Sequence, residues 1–508
     1  MMAATRTASN PLLAELLSGF VASAPLPSLE VSGLTQDSRQ ITSGDVFVAL
    51  PGATHHGLDF LDSVLSLGVA AVLLDEDDSR ASDEACKAIE SSGACAIVVP
   101  KLASRLGEIA SRFYGAPSKN LSMAGITGTD GKTSVSQFVA HARADLEGKA
   151  AVIGTLGNGI AGELHDVGLT TPDTVTLHST LAQFVYDDVR SVAMEVSSHA
   201  IDQHRVAGVE FDVVVLTNLG RDHLDYHGTV EAYHQAKLAL MQHPAARQIV
   251  VNLNDPGVSA QLHTLDGQRL MCFSSDPAHN GCVDVYADNI CLSANGIVFE
   301  IVSDGNRWPL KTKLVGRFNV DNLLAAFCTL KAFEFTERDI VGALSRLHAV
   351  PGRAECFSVP GRARAVVDYS HTPQALRAIL ESVREHCEGR LWCVFGCGGD
   401  RDPGKRPMMA AAAEALADRV VVTDDNPRTE DGDAIVADIV AGFRDAEQVQ
   451  VQRDRRRAIA LAMSMSRAQD WVVVAGKGHE DYQIIGEEKF PLSDREIVAD
   501  AMLEHPDA

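Results

Sequence analysis

A chain of 508 residues is longer than one hydrophobic core ordinarily serves, so two to four domains are expected. Its 46% hydrophobic content is that of a globular protein, and a formal net charge of -24 excludes binding nucleic acid or an anionic membrane through the overall field. A chain this acidic must gather its cations locally, or recruit metal ions, wherever it binds phosphorylated ligands. The N-terminus lacks a charged start followed by an apolar stretch, and no run reaches the ~20 apolar residues that span a bilayer, so neither export nor membrane insertion is expected. Ten scattered cysteines without paired zinc-type spacing fit a reduced, cytoplasmic setting.

Residues 1–116 mix short apolar runs with turn signals, among them VFVALPG at 46–52 and AAVLL at 70–74, and Ala116-Pro117-Ser118 reads as a break. The region 117–349 holds strong β-type runs: MAGITG, SVAMEVSS, DVVVLTN and QIVVNLN. GITGTDGKTS at 125–134 follows the first of these and precedes a helix-compatible stretch. Its glycines let backbone amides turn toward phosphate oxygens, Lys132 would reach the β- and γ-phosphates, and Thr133 could ligate magnesium. The general phosphate-loop pattern asks for glycine at position 126, where this chain has Ile126, so a plain strand-to-helix turn stays open.

LTTPDTVTLH at 169–178 offers Thr170 and Thr171 as a polar pair, readable as substrate contacts or as a helix cap. MEVSSHAIDQHR at 194–205 begins as a strand and places Glu195, Ser197, His199, Gln203 and Arg205 near its end; TNLGRDHLDYHGT at 217–229 supplies Asp222, His223, Asp225 and His227. Oxygen-rich ligands with one imidazole suit magnesium, although any single acid or histidine in a loop also reads as a cap or a solvated group. Lys237 in AYHQAKLAL reads, from the residues alone, as a surface lysine on a helix. GRFNVDNLLAA at 316–326 begins another helix, and Val350-Pro351-Gly352 marks a second boundary.

Region 350–508 alternates strands with helices. Four β-rich runs, AVVDY at 365–369, LWCVF at 391–395, VVVT at 420–423 and WVVVAG at 471–476, are each followed by polar or glycine-rich sequence: SHTP, GCGGDRD, DDNPR and GKGHED. This predicts an α/β fold with a mostly parallel, doubly wound sheet whose ligands sit beyond the carboxyl ends of its strands. PQALRAILESV at 373–383 is the helix between the first two runs, with its proline in the first turn. Cys393 and Cys397 read as small buried residues.

The TGTDGKT loop resembles that of the Mur ligases and of the related folylpolyglutamate synthases, with Asp130 where the Mur pattern usually has Asn. An extra negative charge beside phosphates is unfavourable unless a cation or hydrogen bond compensates it. The resemblance runs from DSR at 37 to GKGHEDYQ at 476–483. It implies three domains: 1–116 binding a uridine nucleotide, 117–349 a P-loop-type ATPase, and 350–508 a Rossmann-like domain for the incoming amino acid. It implies that Gly128 to Ser134, namely Gly128, Thr129, Asp130, Gly131, Lys132, Thr133 and Ser134, hold ATP together with Asn319, Arg353 and Asp368. By the same similarity magnesium falls to Thr133, Glu195, His223 and a carbamylated Lys237, with Lys132, Lys237, His223 and Glu195 as the catalytic group. The uridine-linked muramoyl dipeptide falls to Gln36, Ser38, Ala53, Thr54, His55, Thr170, Thr171, Ser197, Gln203 and Arg205.

The third-residue-adding members come in two versions, one taking meso-diaminopimelate and one L-lysine. The two amino acids differ by a distal carboxylate, which calls for a fixed guanidinium fork. DNPR at 425–428 is the diaminopimelate form, so the resemblance implies Arg428 as the clamp beside Asp425, Asn426 and Pro427, Arg401 as a second cation, and Gly476 and Glu480 at the distal amino end, with Glu480 balancing the ammonium. The expected activity is therefore ATP-dependent amide formation between meso-diaminopimelate and the D-glutamate side chain of UDP-N-acetylmuramoyl-L-alanyl-D-glutamate, by a cytoplasmic monomer. The alternatives are a lysine-adding relative, a folylpolyglutamate synthase-like ligase and an inactive nucleotide-binding scaffold.

Overall fold

The computed structural model describes residues 10–21, 26–52, 55–166, 168–265, 267–445 and 449–503. By internal contacts the chain divides into two units, Met1–Met271 with Ala332–Glu334, and Cys272–Lys331 with Phe335–Ala508.

In the first unit, strands Leu34–Thr35, Val46–Ala49, Ala71–Asp75 and Cys95–Val99 pair in that order, all parallel. The apolar runs noted at 46–52 and 70–74 are two of these strands. A second parallel sheet follows, ordered 248–252, 213–216, 122–127, 191–195 and 150–154. It is extended antiparallel by Gly157–Ile160 and Glu163–His165. The four β-type runs of this region are thus adjacent parallel strands. Every residue of Ser191–Glu195 and Val213–Leu216 is buried, as expected for strands covered on both faces. The register sets Ile126 beside Glu195 and Thr127 beside Leu216, so three strands end together at one edge.

In the second unit, Val285–Ser293, Gly296–Ser303 and Asn306–Thr312 form an antiparallel meander with a bulge between Asp288 and Cys291. Helix Phe318–Ala332 comes next. A six-stranded sheet follows, ordered 355–357, 364–368, 471–475, 391–395, 419–422 and 449–451, parallel except for its first pair.

Alternation along these strands feeds two cores. Val366, Cys393, Phe395, Val422 and Val473 pack with Leu376, Ile379, Met409 and Ile439 of helices Pro373–Arg384, Lys405–Leu416 and Gly432–Val440. Val367, Trp392, Val394, Val421 and Val474 pack with Ile459, Ala462, Ile497 and Val498 of helices Arg455–Met465 and Asp494–Leu503. One sheet with helices on both faces is the doubly wound architecture read from the alternation of runs. Cys393 and Cys397 are buried in the first of these cores. Among the described residues no helix is long and apolar enough to cross a membrane.

Candidate active site

The phosphate loop leaves strand Ser122–Thr127 and enters helix Lys132–Glu147. Ile126 is fully buried inside the strand, so the position where the general pattern has glycine carries core packing here. The glycine requirement falls instead on Gly128, at φ 147°, where an added Cβ would lie 1.9 Å from Thr217 Oγ1. Gly131 caps the helix with φ 83°. The loop is pinned from the neighbouring strand end: Thr129 N and Asp130 N each donate to Asn218 Oδ1 at 2.8 Å, and Thr217 Oγ1 donates to Asp130 O at 2.6 Å. The backbone of Asp130 is therefore fixed while the residue itself stays exposed. Ser134 is buried in the first helical turn.

Lys132 Nζ donates to Gly128 O at 2.7 Å and Thr129 O at 2.9 Å. Lys237 Nζ donates to the same Gly128 O at 2.8 Å from helix Val230–Met241. Lys237 is 1% exposed, which corrects the surface-lysine reading. The helix carries Lys237 on the face that includes buried Tyr233, Leu238 and Met241, information that a single lysine in a helical pattern does not hold. Burial first, and then the neighbouring Lys132 charge, push the Lys237 ammonium down to about 6. Its amine is consequently neutral at pH 7, the form able to react with carbon dioxide.

Glu195 closes its strand fully buried. Thr133 Oγ1 donates to its Oε2 at 2.9 Å, Thr155 Oγ1 donates to Oε2 at 3.0 Å, and Thr155 N donates to Oε1 at 2.9 Å. Gly154 admits this carboxylate, since a Cβ there would stand 2.2 Å from Oε1. Thr133 and Glu195 thus form an oxygen pair suited to a hard cation that keeps several waters. His223 sits at φ 51° and is exposed, its Nε2 3.4 Å from Asp222 Oδ2 and its ring 4.7 Å from that of His199. Among the described residues no three His, Cys, Asp or Glu side chains gather as a metal-binding group.

Beside Glu195, Thr171 Oγ1 donates to Glu195 O at 2.9 Å and accepts from Ser197 N at 3.1 Å, while Thr170 Oγ1 lies 3.1 Å from Thr155 Oγ1. Thr170 and Thr171 precede Asp173, and it is Asp173 that caps helix Thr174–Tyr186. Ser197 caps the short helix Ser198–Asp202. Arg205 Nη1 donates to Thr171 O at 3.1 Å and its Nε to Gln203 Oε1 at 2.9 Å. In the first sheet's loops, Ser38 opens a single turn capped by Asp37, and Gln36 Oε1 is buried with no hydrogen-bond partner among the described residues. His55 is exposed, its ring 5.8 Å from Phe60. Ala53 and Thr54 lie outside the described residues.

In the second unit, Asn319 is buried; its Nδ2 donates to Val315 O at 2.7 Å and its Oδ1 accepts from Asn322 Nδ2 at 3.0 Å. Arg353 stacks over Tyr369 at 4.8 Å, with Nε buried and unpartnered among the described residues. Asp368 ends its strand, accepting from Ala354 N at 2.8 Å and Ser370 N at 2.9 Å.

The carboxyl ends of strands 391–395, 419–422 and 471–475 converge. Arg428 takes a left-handed φ of 55°, and its Nη1 donates to Gly399 O at 2.8 Å. Arg401, exposed, flanks the same stretch: a Cβ on Gly398 would lie 2.8 Å from Arg428 Nη1 and 3.8 Å from Arg401 Cγ. Pro427 O packs so closely on Gly399 that a Cβ there would be 1.9 Å away. A Cβ on Gly476, at φ 122°, would meet Asp425 Oδ2 at 2.5 Å. Asn426 Nδ2 donates to Glu480 Oε2 at 3.0 Å. Two guanidinium groups and a carboxylate at the carboxyl edge of one sheet are able to hold an amino acid end that carries both charges. Thr155, Asn218 and Lys477, each bonded to one of these groups, were not singled out by sequence. Asn218 and Lys477 stand inside the quoted runs TNLGRDH and GKGHED, so position in a motif was the available signal.

Family models match the chain in three stretches: residues 30–114 (Mur ligase family, catalytic domain), 126–330 (Mur ligase middle domain) and 352–478 (Mur ligase, glutamate ligase domain). A UDP-N-acetylmuramoyl-L-alanyl-D-glutamate--2,6-diaminopimelate ligase of Alkalilimnicola ehrlichii is 45% identical over 94% of this chain and 96% of its own length. The enzyme of the same name from Pseudomonas putida is 43% identical over 91% and 92%. A solved structure of a ligase so named superposes with a TM-score of 0.72 at 32% identity, covering 97% of this chain and 99% of that one.

Proposed function

The chain belongs to the Mur ligase family, and we propose that it joins meso-diaminopimelate to the D-glutamate side-chain carboxylate of UDP-N-acetylmuramoyl-L-alanyl-D-glutamate, using ATP. The observation that carries this reading is the cluster of Arg428, Arg401, Asp425, Asn426 and Glu480 at the carboxyl edge of one sheet, in a chain that also has a lysine-bearing phosphate loop. A carboxylate does not react with an amine until its oxygen is made a leaving group. Lys132, with the loop amides of Gly128 to Thr133, would cradle the ATP phosphates and offset the repulsion between two anionic reactants. The D-glutamate carboxylate oxygen attacks the γ-phosphorus, ADP leaves, and an acyl phosphate forms. The deprotonated amine of diaminopimelate then attacks the acyl carbon, and the tetrahedral adduct expels inorganic phosphate, which leaves with the proton lost from the nitrogen.

Thr133, Glu195, His223 and Lys237, the last as a carbamate, would hold magnesium, which when bound would screen phosphate charge. The neutral, buried amine of Lys237 supports carbamylation, and the buried oxygen pair of Thr133 and Glu195 supports the cation. Thr170, Thr171, Ser197, Gln203 and Arg205 would orient the dipeptide, with Gln36, Ser38, Ala53, Thr54 and His55 on the uridine end. Asn319, Arg353 and Asp368 would complete nucleotide binding. The protein would work as a monomer in the cytoplasm.

The test is phosphate release from ATP, which should require magnesium, the uridine-linked dipeptide and diaminopimelate together. Release that ignores either acceptor substrate would overturn the reading, and preferential use of L-lysine in direct competition would replace it with the lysine-adding one.

A further inference from the structure

Lys477 stands between Gly476 and Gly478, both with positive φ (122° and 55°), just past the carboxyl end of strand Trp471–Ala475. It is wholly inaccessible to solvent. An ammonium removed from water is tolerated only with partners in good geometry. Lys477 has two: its Nζ donates to Asn426 Oδ1 at 2.9 Å and to Glu480 Oε2 at 3.1 Å. The Tyr482 ring lies 5.6 Å from the same nitrogen.

An ammonium donates only, so it fixes which end of the Asn426 amide faces it. Oδ1 accepts from Lys477 and also from Ile484 N at 3.0 Å, which turns Nδ2 to Glu480 Oε2 at 3.0 Å. Glu480 Oε2 thereby receives two donors, whereas its Oε1 makes no hydrogen bond with any described residue. The buried lysine thus holds one oxygen of the carboxylate and leaves the other available.

We propose that Lys477 is a positioning residue that makes the amino-acid site selective for a second amine, by holding Glu480 so that Oε1 accepts the distal ammonium; this rests on the diaminopimelate reading given above. Arg428 takes the distal carboxylate and Glu480 the distal ammonium. Lys477 touches neither, and acts by denying Glu480 other rotamers and Asn426 the flipped amide. Without it, a substrate that lacks the second amine loses less by comparison.

The experiment compares kcat/KM for meso-diaminopimelate with that for 2-aminopimelate, which has the distal carboxylate but no distal amine. Lys477→Met should lower this ratio by about tenfold or more, the scale of a charge-assisted hydrogen bond. It should act through KM, with kcat at saturation and KM for ATP and the uridine substrate unchanged. An unmoved ratio in the folded variant overturns the proposal. Should Lys477→Met not fold, the double variant Lys477→Met, Glu480→Gln buries no lone charge and provides the test. Its ratio should equal that of Glu480→Gln alone, and a further loss beyond that variant would show Lys477 acting independently of Glu480 and overturn the proposal. Wild-type protein that does not ligate diaminopimelate at all would instead sink the functional reading, a result distinguishable from either of these.

Discussion

Truncating Arg428 to alanine isolates the clamp proposed for the distal carboxylate. Alanine at φ 55° meets the same left-handed restriction as arginine, so the backbone cost hardly changes. In the free protein the guanidinium gives Nη1 to the neutral Gly399 O, so truncation strands no buried charge. With diaminopimelate bound, truncation leaves a carboxylate without its cation, worth ~2–5 kcal/mol when fully desolvated. Arg428 is only half-buried, which favours the lower end, about 2–3 kcal/mol. At 1.4 kcal/mol per factor of ten, KM for diaminopimelate should rise roughly 30- to 140-fold. The clamp holds ground state and transition state alike, so kcat at saturation should change little. Arg428→Lys, which keeps the charge and loses the fork, should fall between. The assay is initial phosphate release against diaminopimelate concentration, with ATP and the uridine substrate saturating. A KM for Arg428→Ala equal to that of the wild type would show that Arg428 does not hold the distal carboxylate.

Gly128→Ala should abolish the rise in Tm that ADP gives the wild type, because the new methyl would sit 1.9 Å from Thr217 Oγ1; an undiminished rise would contradict the loop geometry. Asp130→Asn should lower KM for ATP about two- to fivefold, the scale of ~0.5–1 kcal/mol for an exposed charge beside phosphates, and a higher KM would show that the carboxylate assists binding. For Lys237 the folded group releases its proton near 6 while the unfolded chain keeps it to 10.5. Between those values the unfolded state binds the extra proton, so this residue makes stability climb with pH by up to about 1.4 kcal/mol per unit. Lys237→Met should lack that slope in urea unfolding at about pH 6.5 and about pH 8.5 in carbon-dioxide-free buffer, and equal pH dependence in both proteins would count against a buried neutral amine.

Much of the fold was legible because parallel sheets write themselves as short apolar runs closed by polar or glycine-rich turns. Each of the four runs in 350–508 is a strand of one sheet, and the loops after 391–395, 419–422 and 471–475 do meet. Neighbourhood across strands was not legible. Thr155 follows strand Ala150–Gly154, forty residues from Glu195, and only the pairing of that strand with Ser191–Glu195 brings its hydroxyl to the carboxylate. Burial of a charged side chain was equally hidden. Lys237 and Lys477 look like any lysines in sequence, yet one faces Gly128 O under a packed helix and the other neutralises Glu480. Asp130 shows the reverse case, a departure visible in the motif whose side chain the fold leaves exposed while Thr217 and Asn218 hold its backbone.

In the proposed reaction ATP activates the carboxylate before the amine arrives. The most direct measurement uses the uridine-linked dipeptide with oxygen-18 in the D-glutamate side-chain carboxylate, incubated with ATP, magnesium, diaminopimelate and the protein. Transfer of one labelled oxygen into inorganic phosphate for each amide bond formed is the predicted result. Amide formation with all the label retained outside phosphate would contradict it.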